Sequence, residues 1–261
     1  MTYKKELYFE DLSAFLKYAM QESKAWNKQS RSSNNLKWSG GLTWEGATAM
    51  AKSGWRDGMR EIEKYKAKLS TIIAEKVLRP QQIYSVAGYN VDVGSFLANE
   101  PECFISREYE ARNYPGRIYK IVCSIAFSSA IQPETIIQRG AMICALIDAI
   151  EFAGHRAEVI CNLSASDNAY GYGSIEKYGW LEVSVTVKKS TQPLEMTDLA
   201  FCLAHPAMLR KMMFSVAEIV GWSDHVQSYG TPAEATEKGD IYIREIFSGT
   251  VSDEKAIIWV L

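Results

Sequence analysis

The sequence predicts an α/β protein with a mostly parallel sheet, helices on both faces of that sheet, and a helical subdomain at the amino terminus. The segment RIYKIVCSIAFSS (117–129) is almost continuously apolar, as strands buried on both faces tend to be. A helical segment follows, with Pro133 in its first turn and Gly154 at its end. The next segment, AEVICNLSA (157–165), is typical of a second buried strand. Together these segments predict a β-α-β unit with parallel strands.

The remainder of the carboxyl-terminal part continues the alternation of strands and helices. The predicted elements are a short hairpin at 83–93, an alternating strand at 180–189, a helical segment at 196–221, a strand at 241–247, a short helix near 252–256 and a closing strand at 257–261. We therefore assign residues 81–261 to one α/β domain.

The first 80 residues predict helices and one long polar loop. Apolar residues at helical spacing indicate an amphipathic helix over 9–28, a second helix capped by Thr43 and closed by Gly54, and a third from about 57 to 78. The segment 29–41 is polar and lacks periodicity, so a flexible loop is expected there. These features predict a separate helical, basic subdomain over 1–80.

Composition indicates a globular chain of uneven charge. Hydrophobic residues make up 47% of the 261, and no apolar run approaches the ~20 residues that a membrane helix needs. Residues 1–80 carry 15 Lys plus Arg against 9 Asp plus Glu, whereas residues 81–261 carry 14 against 22. Such an asymmetry suggests a polyanionic partner for the basic part.

The cysteines favour a reducing compartment. The five cysteines include no C-x-x-C pair, and the start MTYKKELYFEDL lacks the apolar core of a signal peptide, so we expect a cytoplasmic location. Four of them lie in apolar runs and are expected to be buried packing residues, namely Cys123, Cys144, Cys161 and Cys202.

Residues 117–261 resemble the von Willebrand factor A fold, through RIYKIVCSIAFSS, the helix that follows it and the later MTDLAFCLAHP. In that family an Asp-x-Ser-x-Ser loop after the first strand holds a divalent metal. Here the loop reads Ser124-x-Ala126-x-Ser128 or Ala126-x-Ser128-x-Ala130, without the carboxylate. The oxygens that remain belong to Ser128, Ser129, Thr197 and Asp198, and the last two are expected to cap a helix beginning at Leu199. The resemblance therefore implies a version of the fold with no metal and no cofactor.

The most unusual chemistry lies in residues 24–79. This region holds 12 Lys plus Arg against 5 acids and four of the seven tryptophans. Proteins that bind single strands combine cations for the phosphates with aromatic faces on which bases stack. The candidate nucleic-acid-binding residues are Lys28, Arg31, Lys37, Trp38, Trp44, Lys52, Trp55, Arg56 and Arg60.

Two other interpretations of this region stay open. In the first, Trp44 and Trp55 anchor the helices to the sheet while Trp26 and Trp38 pack over them. In the second, the helices that meet near Gly54 form a helix-turn-helix, although acids in the second helix disfavour contact with phosphates. If the loop 29–41 is a mobile arm, its Trp38 closes on a bound strand.

The runs WSGGLTWEGATAMAKSGWRDG and AGYNVDVGSFLANEPECFI resemble uncharacterised proteins of phages and mobile elements, including phages whose RNA polymerase is recruited by a single-stranded-DNA-binding cofactor. The resemblance implies DNA binding and, for a phage protein, a location in the host cytoplasm.

Three functions follow from these observations. The first is a non-enzymatic phage-type protein that binds single-stranded DNA and recruits a protein partner such as RNA polymerase, without a membrane role. The second is a protein-interaction adaptor built on a metal-free von Willebrand factor A-like domain. The third is an enzyme using Asp148, Asp167 or Asp198, which lacks a visible partnered constellation and any common catalytic motif.

Overall fold

A computed structural model describes residues 3–32, 34, 36–66, 81–88, 90–108, 116–168, 179–226 and 229–246. The chain divides into two compact units. The larger comprises Met1–Lys66 with Arg117–Leu261, and the smaller comprises Ala67–Gly116. This division differs from the predicted boundary at residue 80, because the amino-terminal residues contribute a strand and helices to the larger unit.

The strands form one sheet in each unit. They are β1 (Lys4–Phe9), β2 (Gln81–Ser85), β3 (Asn90–Val91), β4 (Phe104–Glu108), β5 (Ile118–Ser124), β6 (Arg156–Ser166), β7 (Trp180–Lys188), β8 (Thr231–Pro232) and β9 (Ile241–Ile243). The larger sheet has the order β1-β7-β6-β5-β9, with β8 beside β6. The smaller sheet has the order β2-β4-β3, so the segment predicted as a hairpin pairs its two strands with β4 and not with each other.

The helices are α1 (Leu12–Ala19), α2 (Trp44–Ser53), α3 (59–66), α4 (Val93–Leu97), α5 (Pro133–Phe152), α6 (Met196–Ala204), α7 (Phe214–Ile219) and α8 (Trp222–His225). A 3-10 turn spans Leu36–Ser39, and π-helical turns over Met208–Met213 lead into α7. Predicted helical residues beyond 66 and the predicted elements at 252–261 lie outside the described residues.

The predicted β-α-β unit is confirmed. β5 and β6 pair in parallel, with Ile121 opposite Val159, and α5 connects them. The class α/β is therefore established, with a mixed sheet in which β1 and β7 also pair in parallel and β7 runs antiparallel to β6.

Helices cover one face of the larger sheet. On that face the Cys161 thiol donates to the carbonyl oxygen of Cys202 in α6, and the packing cysteines are buried as predicted. Burial raises the pKa of Cys123 to about 12. Successive side chains of a strand alternate between faces, so Asn162 lies on the opposite face.

The second face carries a buried polar network beside a small apolar cluster, and among the described residues the segment 233–240 packs over it. Asn162 donates to Glu182 at 2.8 Å, and the backbone N–H of Thr236 donates to the same carboxylate at 3.1 Å. Ala235 and Tyr242 pack against Val122 and Ile160 beside this network. The prediction of helices on both faces thus holds for one face of the described sheet.

The amino terminus differs from the predicted helix over 9–28. Residues 4–9 form an edge strand, and Asp11 then caps α1 by accepting a hydrogen bond from the backbone N–H of Ala14. The chain leaves the helical conformation after Met20.

The predicted helical segment 196–221 is interrupted. His205 is extended, as expected for a residue before a proline, and Pro206 starts the next helix. The π-helical turns then bring the side chains of Arg210 and Lys211 into the interior, where both are buried.

Candidate nucleic-acid interface

The segment 20–32, which we call the strap, is irregular but held by two carboxylates, the buried Glu218 and the half-buried Asp224. Glu218 accepts hydrogen bonds from the backbone N–H groups of Gln29 and Ser30, each at 2.8 Å. Asp224 accepts from the backbone N–H groups of Trp26 at 3.3 Å and Asn27 at 3.1 Å. The two carboxylates therefore satisfy backbone donors that have no strand or helix partner.

Further contacts fix the end of the strap. Lys211 donates from Nζ to the carbonyl oxygen of Ser32 at 2.6 Å, and Arg31 donates to the carbonyl oxygens of Met20 and Gln21. Ser30 is fully buried. The loop predicted as flexible over 29–41 is, in its described residues, anchored to the helices.

Trp26 is the most prominent feature of the strap. Its side chain is 81% exposed, and exposed lysines, Lys24 and Lys28, lie two residues away on either side. Asp224 fixes the backbone at Trp26, so the indole is presented to solvent from a pinned position. The interpretation that Trp26 packs against the other tryptophans is wrong. The spacing Lys-x-Trp-x-Lys in a segment without helical periodicity is the signal that could have identified it.

The three tryptophans predicted to stack on bases each pack against another side chain. The guanidinium carbon of Arg210 lies 4.3 Å from the ring centroid of Trp38, and that of Arg31 lies 4.7 Å from the ring of Trp44. The ring of Trp55 meets that of His205 edge-on, with centroids 4.8 Å apart. All three rings are only partly exposed. Their contacts favour the packing interpretation.

The predicted cations are distributed over several elements. Lys28 shares the strap with Trp26, Lys37 lies in the 3-10 turn, and the remaining exposed cations lie along α2 and the start of α3, namely Lys52, Arg56 and Arg60. Arg31 turns inward over Trp44 and pairs with Glu22 at 3.3 Å. Of the predicted cations, Lys28 therefore lies in the same segment as Trp26, whereas Arg31 contacts Trp44 and Glu22.

Helices α2 and α3 flank Gly54 as predicted. The backbone N–H of Trp55 donates to the carbonyl oxygen of Thr197 at 2.9 Å, and α2 packs against α6. This pair of helices is therefore anchored to the helical layer of the larger unit.

Arg210 is a buried cation with backbone partners. Its side chain donates to the carbonyl oxygens of Trp38 and Ile131, the latter at 2.6 Å, and within the described part of the chain its Nε has no hydrogen-bond partner. Burial lowers the pKa of Arg210 to about 10. Because the group is 1% exposed, it serves as an anchor for the 3-10 turn and not as a surface cation.

The oxygens considered for a metal lie apart. Ser128 follows the carboxyl end of β5, whereas α6 begins beyond the carboxyl end of β7, at the opposite end of the sheet. Glu195 is the N-cap residue of α6 and makes no side-chain capping bond, so the predicted caps at Thr197 and Asp198 are wrong. Burial raises the pKa of Asp198, and the charge of Glu195 adds to this effect. No group of three or more His, Cys, Asp or Glu side chains in the described ranges could hold a metal ion.

Two of the three acids considered for catalysis, Asp148 and Asp167, have structural partners. Asp148 pairs with Lys66 at 3.1 Å. Asp167 lies 3.5 Å from Nε2 of His225, on which the ring of Tyr3 stacks. The Asp167–His225 pair links the end of β6 to α8. The same helix carries Asp224, which accepts hydrogen bonds from the backbone of the strap.

The fold and this site define an α/β-sheet protein that presents a lysine-flanked tryptophan from a pinned strap. The chain belongs to the DUF7192 family, described as a domain of unknown function, whose model matches residues 3–261. Comparison with curated proteins and with solved structures gives no match. Within the part of the chain that the structure describes, no helix has the length and apolar character required to cross a membrane.

Proposed function

We propose that this protein is a non-enzymatic single-stranded-DNA-binding protein that recruits a protein partner, such as RNA polymerase, to the DNA. The observation that carries the proposal is Trp26, which is 81% exposed between two exposed lysines. An exposed indole can stack on any base, at ~1 to 3 kcal/mol for each stacked base, while Lys24 and Lys28 neutralise neighbouring phosphates.

Folding alone does not account for the position of Trp26. Full burial of a large apolar side chain contributes ~1.5 to 3 kcal/mol, and Trp26 leaves most of its surface in water. Asp224 holds the backbone at Trp26 and Asn27, so a bound base meets a ring whose point of attachment is already fixed. Glu22, the acid within the strap, is paired with Arg31 and opposes the approach of a polyanion less than a free carboxylate does.

The choice of DNA and of a polymerase as partner rests on the resemblance carried by residues 38–58 and 87–105. The uneven charge supports it independently, because residues 1–80 are basic and residues 81–261 are acidic. In this proposal the basic strap contacts the single-stranded DNA, and the acidic part of the chain, residues 81–261, remains available to a protein partner.

The test is a titration of labelled single-stranded DNA, duplex DNA and RNA at two salt concentrations. Trp26→Ala should weaken single-strand binding by ~1 to 3 kcal/mol with little change in the salt slope. Lys24→Gln and Lys28→Gln should each reduce the slope by ~0.7 if each removes one phosphate contact.

The matched control is Phe152→Ala, which removes an aromatic ring that is 88% exposed between Glu151 and Ala153. This variant should bind single strands as the wild type does. If the wild type fails to bind all three nucleic acids at low salt, or if both aromatic variants lose affinity equally, the proposal is wrong.

A second candidate is the protein-interaction adaptor built on a metal-free von Willebrand factor A-like domain, and the observation that favours protein contacts lies outside residues 117–261. Several apolar side chains of the smaller unit are exposed, including Phe96 at 60% and Leu97 at 78%. An adaptor that acts through protein contacts alone predicts no affinity for single strands, so the same titration separates the two candidates.

A further inference from the structure

Helix α4 of the smaller unit turns an apolar face to solvent. Val93, Phe96 and Leu97 are spaced i, i+3 and i+4, so they lie on one side of the helix. They are 65%, 60% and 78% exposed. Single exposed apolar residues are ordinary, whereas a contiguous exposed apolar face marks an interaction surface.

The position of this face is fixed by the start of the helix. The Asp92 side chain accepts hydrogen bonds from the backbone N–H groups of Gly94 and Ser95, at 2.9 and 3.2 Å. The hydroxyl of Tyr84 donates to the same carboxylate at 2.9 Å, which joins β2 to the helix. The backbone N–H of Asp92 also donates to the carbonyl oxygen of Cys103 at 2.8 Å. These bonds hold α4 in register with its sheet while its apolar side chains remain in water.

The acids that lie nearest to this face along the chain are Asp92, Glu100 and Glu102. The described residues 81–88 and 90–108 also include Arg107 and Glu108 in β4, where Arg107 lies opposite Gln82. Glu100 and Glu102 are exposed. The hydrogen bond from Tyr84 is the largest influence on Asp92 and lowers the pKa of its carboxyl, so this acid is ionised at neutral pH.

We infer that the α4 face, defined by Val93, Phe96 and Leu97 with Glu100 and Glu102 beside it, docks a protein segment whose apolar anchors are flanked by Lys or Arg. Charge complementarity selects this occupant, because nucleic acid and acidic peptides are repelled by the carboxylates. Phe96 and Leu97 supply the buried contacts of the complex, and the acids supply attraction and orientation. The inference rests on the partner-recruitment part of the proposed function and is independent of the strap.

The probe is a fluorescein-labelled amphipathic peptide with Leu and Phe at i, i+3, i+4 and i+7 and Lys at the other positions. The matched control peptide carries Glu in place of every Lys. The full-length protein should bind the Lys peptide, and affinity should fall with added salt. Phe96→Ser and the double variant Glu100→Lys with Glu102→Lys should each weaken binding by about tenfold.

Two controls accompany the binding measurements. Both variants alter exposed side chains, so their melting temperatures should match that of the wild type. Their affinity for single-stranded DNA should also be unchanged, which separates failure of this inference from failure of the proposed function. The inference would be overturned if the protein bound the Lys and Glu peptides equally. It would also be overturned if Phe96→Ser bound the Lys peptide as tightly as the wild type does. A dimeric wild type and a monomeric Phe96→Ser variant would also overturn it, because a second copy of the chain would then occupy the α4 face.

Discussion

The buried Arg210 and the half-buried Trp38 form a cation–aromatic pair, with the guanidinium carbon 4.3 Å from the ring centroid and a hydrogen bond from Arg210 to the carbonyl oxygen of Trp38. The indole N–H donates in turn to the carbonyl oxygen of Ser129 at 3.2 Å, in the loop after β5. The pair therefore ties the 3-10 turn to both the π-helical turns and the sheet.

The first prediction follows from this pair. Trp38→Ala should cost ~3 to 5 kcal/mol of unfolding free energy, because it removes a packed ring and leaves a buried arginine with fewer contacts. Trp26→Ala, measured by the same urea unfolding, should stay within ~0.5 kcal/mol of wild type. A stable Trp38→Ala protein that no longer binds single strands would restore the mobile-arm interpretation of the loop 29–41.

The second prediction concerns Glu218. Its carboxylate accepts from two backbone N–H groups of the strap, from the Ser30 hydroxyl and from the Tyr229 hydroxyl. Glu218→Gln replaces one acceptor oxygen by a donor and should cost ~1 to 3 kcal/mol of stability. Glu22→Gln, whose side chain is 92% exposed, should change stability by less than ~0.5 kcal/mol. Faster hydrogen exchange at Gln29 and Ser30 in Glu218→Gln would locate the loss, whereas unchanged exchange would contradict this account of the strap.

The third prediction concerns the crossing of α5 and α6. A Cβ added at Gly140 would lie 2.2 Å from the Cα of Ala204, so the two helices would have to separate. Gly140→Ala should therefore destabilise the protein by ~3 kcal/mol or more by overpacking. Gly46→Ala is the matched control, because a Cβ there meets only ordinary contacts at 3.5 Å in α2. It should be neutral or stabilising by ~0.4 to 1 kcal/mol, and similar thermal stability of the two variants would contradict the close crossing.

The fourth prediction is a pH dependence of stability that arises from His205. Burial lowers the pKa of this imidazole from 6.5 to about 4, and its Nδ1 accepts a hydrogen bond from the backbone N–H of Ala207. Between these two pH values the unfolded chain binds a proton that the folded chain does not, so stability rises with pH across that window. His205 should contribute a loss of about 3 kcal/mol as the pH falls from 6.5 to 4. Urea unfolding of His205→Gln against wild type at several pH values should show a difference in slope confined to this window. Parallel curves would exclude the effect.

The elements predicted correctly are those with local signals. Apolar runs predict strands β5 and β6, and Pro133 and Gly154 predict the ends of helix α5. Each of these signals lies within a few residues of the element that it specifies. β1 carries no such signal, because an edge strand with Lys4, Lys5 and Glu6 in solvent has few apolar positions. Its pairing depends on a partner that follows far along the chain.

The candidate site shows the same limit. Composition predicts that the basic, tryptophan-rich region is the candidate site, but it does not determine which indole is exposed to solvent. That outcome depends on Asp224, Glu218 and Arg210, which bond to the strap or to Trp38 across 172 to 198 residues of sequence. Long-range carboxylate and guanidinium contacts decide which ring packs and which meets solvent.

The parallel pairing of β1 with β7 also has a kinetic consequence. Lys4 lies opposite Trp180, so the edge of the sheet cannot close until the ribosome has extended the chain through β7. Because synthesis proceeds at ~5 to 20 residues per second, β1 remains unpaired for roughly 9 to 35 s after it has been made. During that interval α1 can form locally, but the hydrogen-bonding edge of β1 is exposed to other chains. Translation speed should therefore influence the yield of native protein without changing the stability of the finished fold.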